Sequence, residues 1–189
     1  MKNFLVWNSN PFYIGDRIVS NLESPYNMFS NACIYGIQAM IYVAMQQKEE
    51  QFIPIATIAQ ELAIPFQFLK KILQKLAEQS ILHSQRSAKG GVKLARSADT
   101  ITVFDIIAAI DGVDLLTTQC ILNMPGCGNH TPCPLHALWG IERARLRRLF
   151  ESSTLQDLAQ KTVDLDLRLG MSVLQEQEEN RGITPMVKD

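Results

Sequence analysis

From residue 30 onward, apolar positions fall at helical spacing. Ile34, Ile37, Ile41 and Met45 recur three or four apart, Met40 and Val43 widen the stripe, and Ser30 or Asn31 can cap the helix they predict. A short helix is expected over residues 58–62, opened by Ala56 or Thr57 and ended where Pro65 disfavours helical geometry at Ile64. The next begins at Pro65, with Phe68, Leu69, Ile72, Leu73 and Leu76 on its buried face and Gln67, Lys70, Lys71, Gln74 and Lys75 opposite. Residues 81–84 read as a strand, 85–91 as a turn and 92–94 as a returning strand. An apolar helix over 101–110 is led by Thr100 or Thr102 and closed by Asp111 and Gly112. A long helix then runs through Leu135, Leu138, Trp139, Glu142, Leu146 and Leu149, and Thr154 caps a last short one over 155–163.

This order predicts a mainly α fold with a small β-wing: a winged helix-turn-helix plus a long dimerisation helix. Two short helices joined by a tight turn, the second basic on its open face, describe a helix-turn-helix, and a hairpin directly after it is a wing. In that geometry the first half of the second helix enters the major groove, which places Gln67, Lys70 and Lys71 to reach bases or phosphates. Arg86 and Lys89 sit at the wing tip, where Gly90 and Gly91 let backbone approach closely. The long helix has too few partners in one small domain, so its apolar stripe is expected to be covered by a second copy. Expected boundaries are a flexible N-terminal extension at 1–27, the DNA-binding domain at 28–112, a cysteine-rich loop at 113–136, the dimerisation and short terminal helices at 137–165, and a flexible tail at 166–189.

Charge sharpens this picture. The formal net charge is −1, which favours no partner. Its distribution is uneven: between Lys70 and Arg96 seven cations (Lys70, Lys71, Lys75, Arg86, Lys89, Lys93, Arg96) face one anion, Glu78. Segregated positive charge suits a phosphate-facing surface. The longest apolar run, residues 32–45, is too short to span a bilayer, and no secretory segment opens the chain, so no membrane partner and a reducing cytoplasm are expected. There, clustered cysteines mean metal or redox chemistry rather than structural disulfides.

Three of the four cysteines cluster. Residues 120–136 hold Cys120, Cys127 and Cys133, with His136 three places further on, among Pro125, Gly126, Gly128, Pro132 and Pro134. Those prolines and glycines break helix and strand alike, so the stretch is a loop. Thiolates with an imidazole suit a soft metal centre, either zinc or an iron–sulfur cluster. His130 is a second candidate ligand, and the alternative is a buried thiol pair or disulfide. Cys33, on the first helix, reads as a small core side chain. No phosphate-cradling glycine loop and no nucleophile paired with a histidine outside this loop are present, so catalysis is not expected.

The chain also resembles a known family. Met28-Phe29-Ser30, Tyr35-Gly36, Ile58-Ala59, Ile64-Pro65, Leu69 to Leu73 with Leu76, Ser84 with Arg86, Gly90, Gly91 and Leu94, Asp105-Ile106-Ile107, Ile110-Asp111-Gly112, the three loop cysteines and His136-Ala137-Leu138-Trp139 together are similar to the Rrf2 family of winged-helix transcription regulators, over about residues 28–163. The resemblance implies a cytoplasmic homodimer that binds palindromic double-stranded DNA and is tuned by a cluster. In cluster-bearing members three loop cysteines bind iron. A histidine matching His136 is the fourth ligand in one type, and a carboxylate from the partner's first helix in another. Here that helix reads Cys33-Ile34-Tyr35, with no carboxylate, which favours His136. The implied cofactor is a [2Fe-2S] cluster, with [4Fe-4S] as the alternative.

Some positions depart from the family pattern. Six residues, 121–126, separate the first two cysteines where five are usual, Ser87 replaces the glycine that follows the wing arginine, and Val92 replaces an aromatic. Lys70 stands where an acidic residue discriminates between DNA sites in one member, so operator preference does not carry over. Three readings follow: a regulator that senses iron–sulfur, redox or nitric oxide status; the same fold with zinc or no metal, answering to a partner or small molecule; and an iron–sulfur carrier with no DNA role.

Overall fold

A computed structural model describes residues 28–46, 51–87 and 90–169. The expected N-terminal arm, the tail beyond residue 169 and Lys89 lie outside them.

The first helix, α1 (Asn31–Gln46), starts where the sequence places it. Ser30 Oγ accepts from the Cys33 amide at 3.1 Å. The Ser30 amide and hydroxyl donate to the Asp111 carboxylate at 2.8 and 2.5 Å. The buried face differs from the expected stripe. It comprises Cys33, Gly36, Ala39, Met40, Ile41 and Val43, while Ile34, Ile37 and Met45 are only half-buried. The reason is packing: α1 is covered by several later helices, and its small residues let them close in. A Cβ on Gly36 would run into Ile110 Cδ1.

Next come α2 (Ile55–Glu61) and α3 (Phe66–Glu78). The second helix begins earlier than the sequence suggests because the Pro54 carbonyl takes the Thr57 and Ile58 amides at 3.1 and 3.3 Å. Ala63, at φ +52°, makes the turn between them. Leu69, Ile72, Leu73 and Leu76 bury the face of α3 as expected. Phe68 does not join them: it is 38 % exposed and meets Tyr35 edge-on, with ring centroids 5.9 Å apart.

The wing is an antiparallel pair, β1 (Leu82–Gln85) and β2 (Gly91–Leu94), with Leu82 opposite Leu94 and Gln85 opposite Gly91. Ile53 pairs with Val92 on the other edge of β2, through amide-to-carbonyl bonds of 2.8 and 2.9 Å. A Cβ on Gly91 would collide with the Ile53 carbonyl, so this position must be glycine for the wing to reach its anchor.

After a short 3-10 turn, Ala98–Thr100, Thr102 caps α4 (Val103–Ile110) in a reciprocal box with Asp105. Ile101, expected to be helical, is instead extended and fully buried, and its carbonyl takes the Leu155 amide at 2.9 Å. The sequence reading missed α5 (Asp114–Thr117), a single turn. The long helix is α6 (His136–Ser152), and α7 (Leu155–Asp164) follows, capped by Thr154.

One core joins α1 to the helix-turn-helix, the wing, α4 and Leu155. No residue of α6 is buried. Leu146 and Phe150 pack partly on the core, while Leu138, Ile141 and Leu149 are 63, 54 and 56 % exposed. No helix among the described residues is long and apolar enough to cross a membrane.

Candidate nucleic-acid interface and metal centre

Two surfaces carry the residues singled out by sequence. The first is the space between α3 and the wing. Lys70, Arg86, Gly90 and Gly91 line one cleft of about 370 Å³. Gln67 and Lys71 are exposed on α3 but do not line it. Phe66 and Gln74, which the sequence reading did not select, do line it. Their signal was available: Phe66, Lys70 and Gln74 are spaced by four and so share a helix face. The cleft is therefore flanked by a cation from each of the two elements that a winged helix-turn-helix presents to DNA, over an apolar floor that includes Leu73 and Val92.

Not every cation of the stretch faces outward alone. Lys75 Nζ donates to the Ile110 carbonyl, Lys93 Nζ sits 5.3 Å from the centre of the Phe52 ring, and Arg96 pairs with Asp105 at 2.8 Å. These contacts explain why the charge excess in the sequence overstates the surface on offer to phosphates.

The second surface is the cysteine loop. Residues 118–135 contain no helix or strand. Local bonds fold them into turns: the Asn123 amide reaches the Cys120 carbonyl at 2.9 Å, the Cys127 amide the Met124 carbonyl at 3.2 Å, and Thr131 Oγ1 the Gly126 carbonyl at 2.6 Å. Gly126, at φ +68°, adopts the left-handed conformation that costs other residues most. This winding brings the three cysteines together. Their Sγ atoms all lie within 4.8 Å of one another, and Cys120 and Cys133 are 3.6 Å apart. His136, the first residue of α6, places Nδ1 3.3 Å from Cys127 Sγ and Nε2 3.4 Å from Asn129 Oδ1. Cys133 is buried; Cys120, Cys127 and His136 are half-buried. His130 is exposed and stands apart from the sulfur group. All four cysteines are free thiols, and Cys33 is buried in the core rather than at this site.

Electrostatics distinguish these thiols. The Met124 amide, donating to Cys120, holds that thiol down to about 7, so thiolate forms readily there. At Cys127 the Cys133 amide pulls down, but loss of solvent and the neighbouring thiols outweigh it and the net direction is up. Closely packed thiols resist losing all their protons together, which is what a cation placed among them would relieve. The donor set also fits a metal on geometry. A tetrahedral ion with bonds of ~2.3 Å to sulfur requires sulfurs about 3.8 Å apart, close to what Cys120 and Cys133 already show. An iron–sulfur cluster takes the same donor types over a wider span.

Comparison with known proteins shows the family and the fold. The family model described as Rrf2, iron-dependent transcriptional regulator, matches residues 29–161. A relative named HTH-type transcriptional regulator IscR, from Xenorhabdus nematophila, is 31 % identical over 134 residues, which are 70 % of this chain and 79 % of that protein. Among solved structures, CymR, the global cysteine regulator of B. subtilis, superposes with a TM-score of 0.61 at 26 % identity, over 72 % of this chain and 98 % of its own. IscR of T. potens shares the fold, with a TM-score of 0.59 at 23 % identity, over 77 % of this chain and 95 % of its own.

Proposed function

Because this chain belongs to the Rrf2 family of transcriptional regulators, we propose that it binds operator DNA as a homodimer, under the control of an iron–sulfur cluster held by Cys120, Cys127, Cys133 and His136. The observation that carries the reading is the convergence of three thiols and one imidazole in a loop that leads directly into α6. The family description as iron-dependent supports iron as the metal. Relatives bearing the name are regulators rather than enzymes, and this chain is read as one too.

On DNA, α3 lies in the major groove with Gln67, Lys70 and Lys71 toward bases and phosphates. Arg86, Lys89 and the Gly90–Gly91 backbone of the wing approach the adjacent minor groove. The exposed apolar positions of α6 meet the same helix of a second copy, giving the two-fold symmetry that a palindromic operator mirrors.

When bound, the cluster supplies a redox- and ligand-sensitive charge centre at the base of α6. The chain's own residues carry its state onward. Phe150 packs edge-on against Phe29, with centroids 5.5 Å apart, and Arg147 lies 5.4 Å from the centre of the Phe104 ring on α4. Ile110, at the end of α4, is tied to α3 through Lys75. Ordering the loop thus biases α6, α4 and the recognition helix in turn. Couplings of this kind amount to ~1–3 kcal/mol, enough to switch operator occupancy.

A second reading keeps the fold and the ligands but places a single zinc ion among them. The specific observation favouring it is the close set of the three sulfurs, within 4.8 Å. One experiment separates the two. Protein isolated without oxygen is assayed for iron, acid-labile sulfide and zinc, and its binding to duplexes selected from a random pool is compared with that of the Cys120→Ser/Cys127→Ser/Cys133→Ser variant. Iron with sulfide, and binding that changes when the cysteines go, is the expected result. Zinc without sulfide supports the second reading, and binding indifferent to the cysteines overturns both.

A further inference from the structure

The carbonyl of Gln119, one residue before the first loop cysteine, takes two donors from α6. Trp139 Nε1 donates to it at 2.9 Å and Arg143 Nη1 at 3.1 Å. A carbonyl oxygen has two lone pairs, so both bonds form together. Trp139 and Arg143 are four residues apart, which puts them on one face of the helix. The Gln119 amide is also engaged, donating to the Asp114 carbonyl at 2.8 Å. The backbone at 119 is thereby tied to α5 by its N–H and to α6 by its C=O. At the other end the loop runs without a break into α6, whose first residue is His136.

These two anchors matter because the backbone bonds inside the loop are local and shape only its turns. The longer links run through the candidate ligand side chains themselves, Cys120 Sγ to Cys133 Sγ and Cys127 Sγ to His136 Nδ1. The Gln119 carbonyl is therefore where the backbone beside Cys120 is fixed to the helix. We propose that Trp139 and Arg143 are positioning residues of the thiol site: by gripping the Gln119 carbonyl they hold Cys120 beside Cys133 and in register with His136, so that both ends of the metal loop are stapled to a single helix. The inference rests on the reading that these cysteines hold a metal. Its consequence is that a change at the metal reaches α6 from two points, His136 at the helix start and the Trp139–Arg143 face one to two turns further on, rather than through a slack tether.

The test uses cobalt(II) as probe, because its thiolate charge-transfer bands count the sulfurs bound. Cobalt is titrated into the full-length chain, into Trp139→Phe, which keeps the ring but loses the donor, and into Arg143→Gln. Residues that orient a metal's ligands typically contribute 10- to 100-fold to affinity, and for these exposed bonds a loss of about tenfold is expected, with weaker thiolate bands at saturation. Unchanged apo far-UV circular dichroism shows that the fold persists. In a Cys120→Ser background the Trp139→Phe effect should vanish, an outcome that a merely structural role would not produce. If Trp139→Phe fails to fold, Arg143→Gln decides. Parent-like affinity and bands in the variants overturn the clamp alone, and an unchanged Trp139→Phe loss without Cys120 does the same. A parent that binds no cobalt overturns the metal reading and the clamp with it.

Discussion

Lys75 Nζ donates to the carbonyl of Ile110 at 2.5 Å. Ile110 is the last residue of α4, where carbonyls lack helical partners and the helix end is negative. A lysine that the sequence groups with Lys70 and Lys71 therefore serves the frame, fastening the recognition helix to α4.

This division of labour is measurable. Lys75→Met should lower stability to urea by about 1.5–3 kcal/mol, the usual range for a hydrogen bond to a charged group, and leave DNA affinity near that of the parent. Lys70→Ala should do the opposite, with no change in the urea midpoint. A shift assay run beside denaturation curves checks both.

Lys70 and Arg86 flank one cleft from its two sides. If both contact phosphates, removing the pair as alanines lowers the slope of log affinity against log salt by roughly 2 and weakens binding to all duplexes alike. A preserved slope would remove both residues from the DNA contact.

Gly91 lies against the Ile53 carbonyl, with no room for a Cβ. Gly91→Ala should release β2 from its bridge to Ile53 at a cost of ~1–3 kcal/mol. Limited proteolysis would then cut in the wing first, whereas the parent wing should resist at the same protease dose.

Cys33 is buried, and burial, helped by the nearby Asp111 carboxylate, pushes its thiol up to about 12. The folded chain thus holds this proton more tightly than the unfolded chain, whose thiol titrates near 9.0. The associated stability is fully present below that value and is lost as pH rises through the folded one. Thermal midpoints of the parent and Cys33→Ala should therefore converge between pH 9 and pH 12. At neutral pH a thiol reagent should modify Cys33 only after denaturant is added.

Local chemistry made much of this protein legible from its residues. Pro65 after Ile64 marks the turn between the two short helices, Thr102 and Thr154 cap where their side chains predict, and Gly and Pro around Cys127 and Cys133 exclude helix and strand. Such signals act over a few residues and survive in any context. The order of the longer elements and the wing followed from them, and so did the choice of the three cysteines and His136 that the structure brings near one another.

Other features needed the whole chain. Which face of α1 is buried depends on which helices lie across it, and several do, so a single stripe could not be right. Ile101 reads as helical by spacing, but a carbonyl bond to Leu155 holds it extended. Phe68 has the right spacing for the core but stays 38 % exposed, with its ring edge-on to Tyr35. Lys75 looks like its basic neighbours until Ile110, 35 residues away, comes within reach. The clamp on Gln119 is of the same kind: a backbone carbonyl has no letter in the sequence, and only folding shows that an indole and a guanidinium twenty or more residues further on will find it. Residue types determined which bonds this chain is able to make; the tertiary structure decided which partners stand close enough to make them.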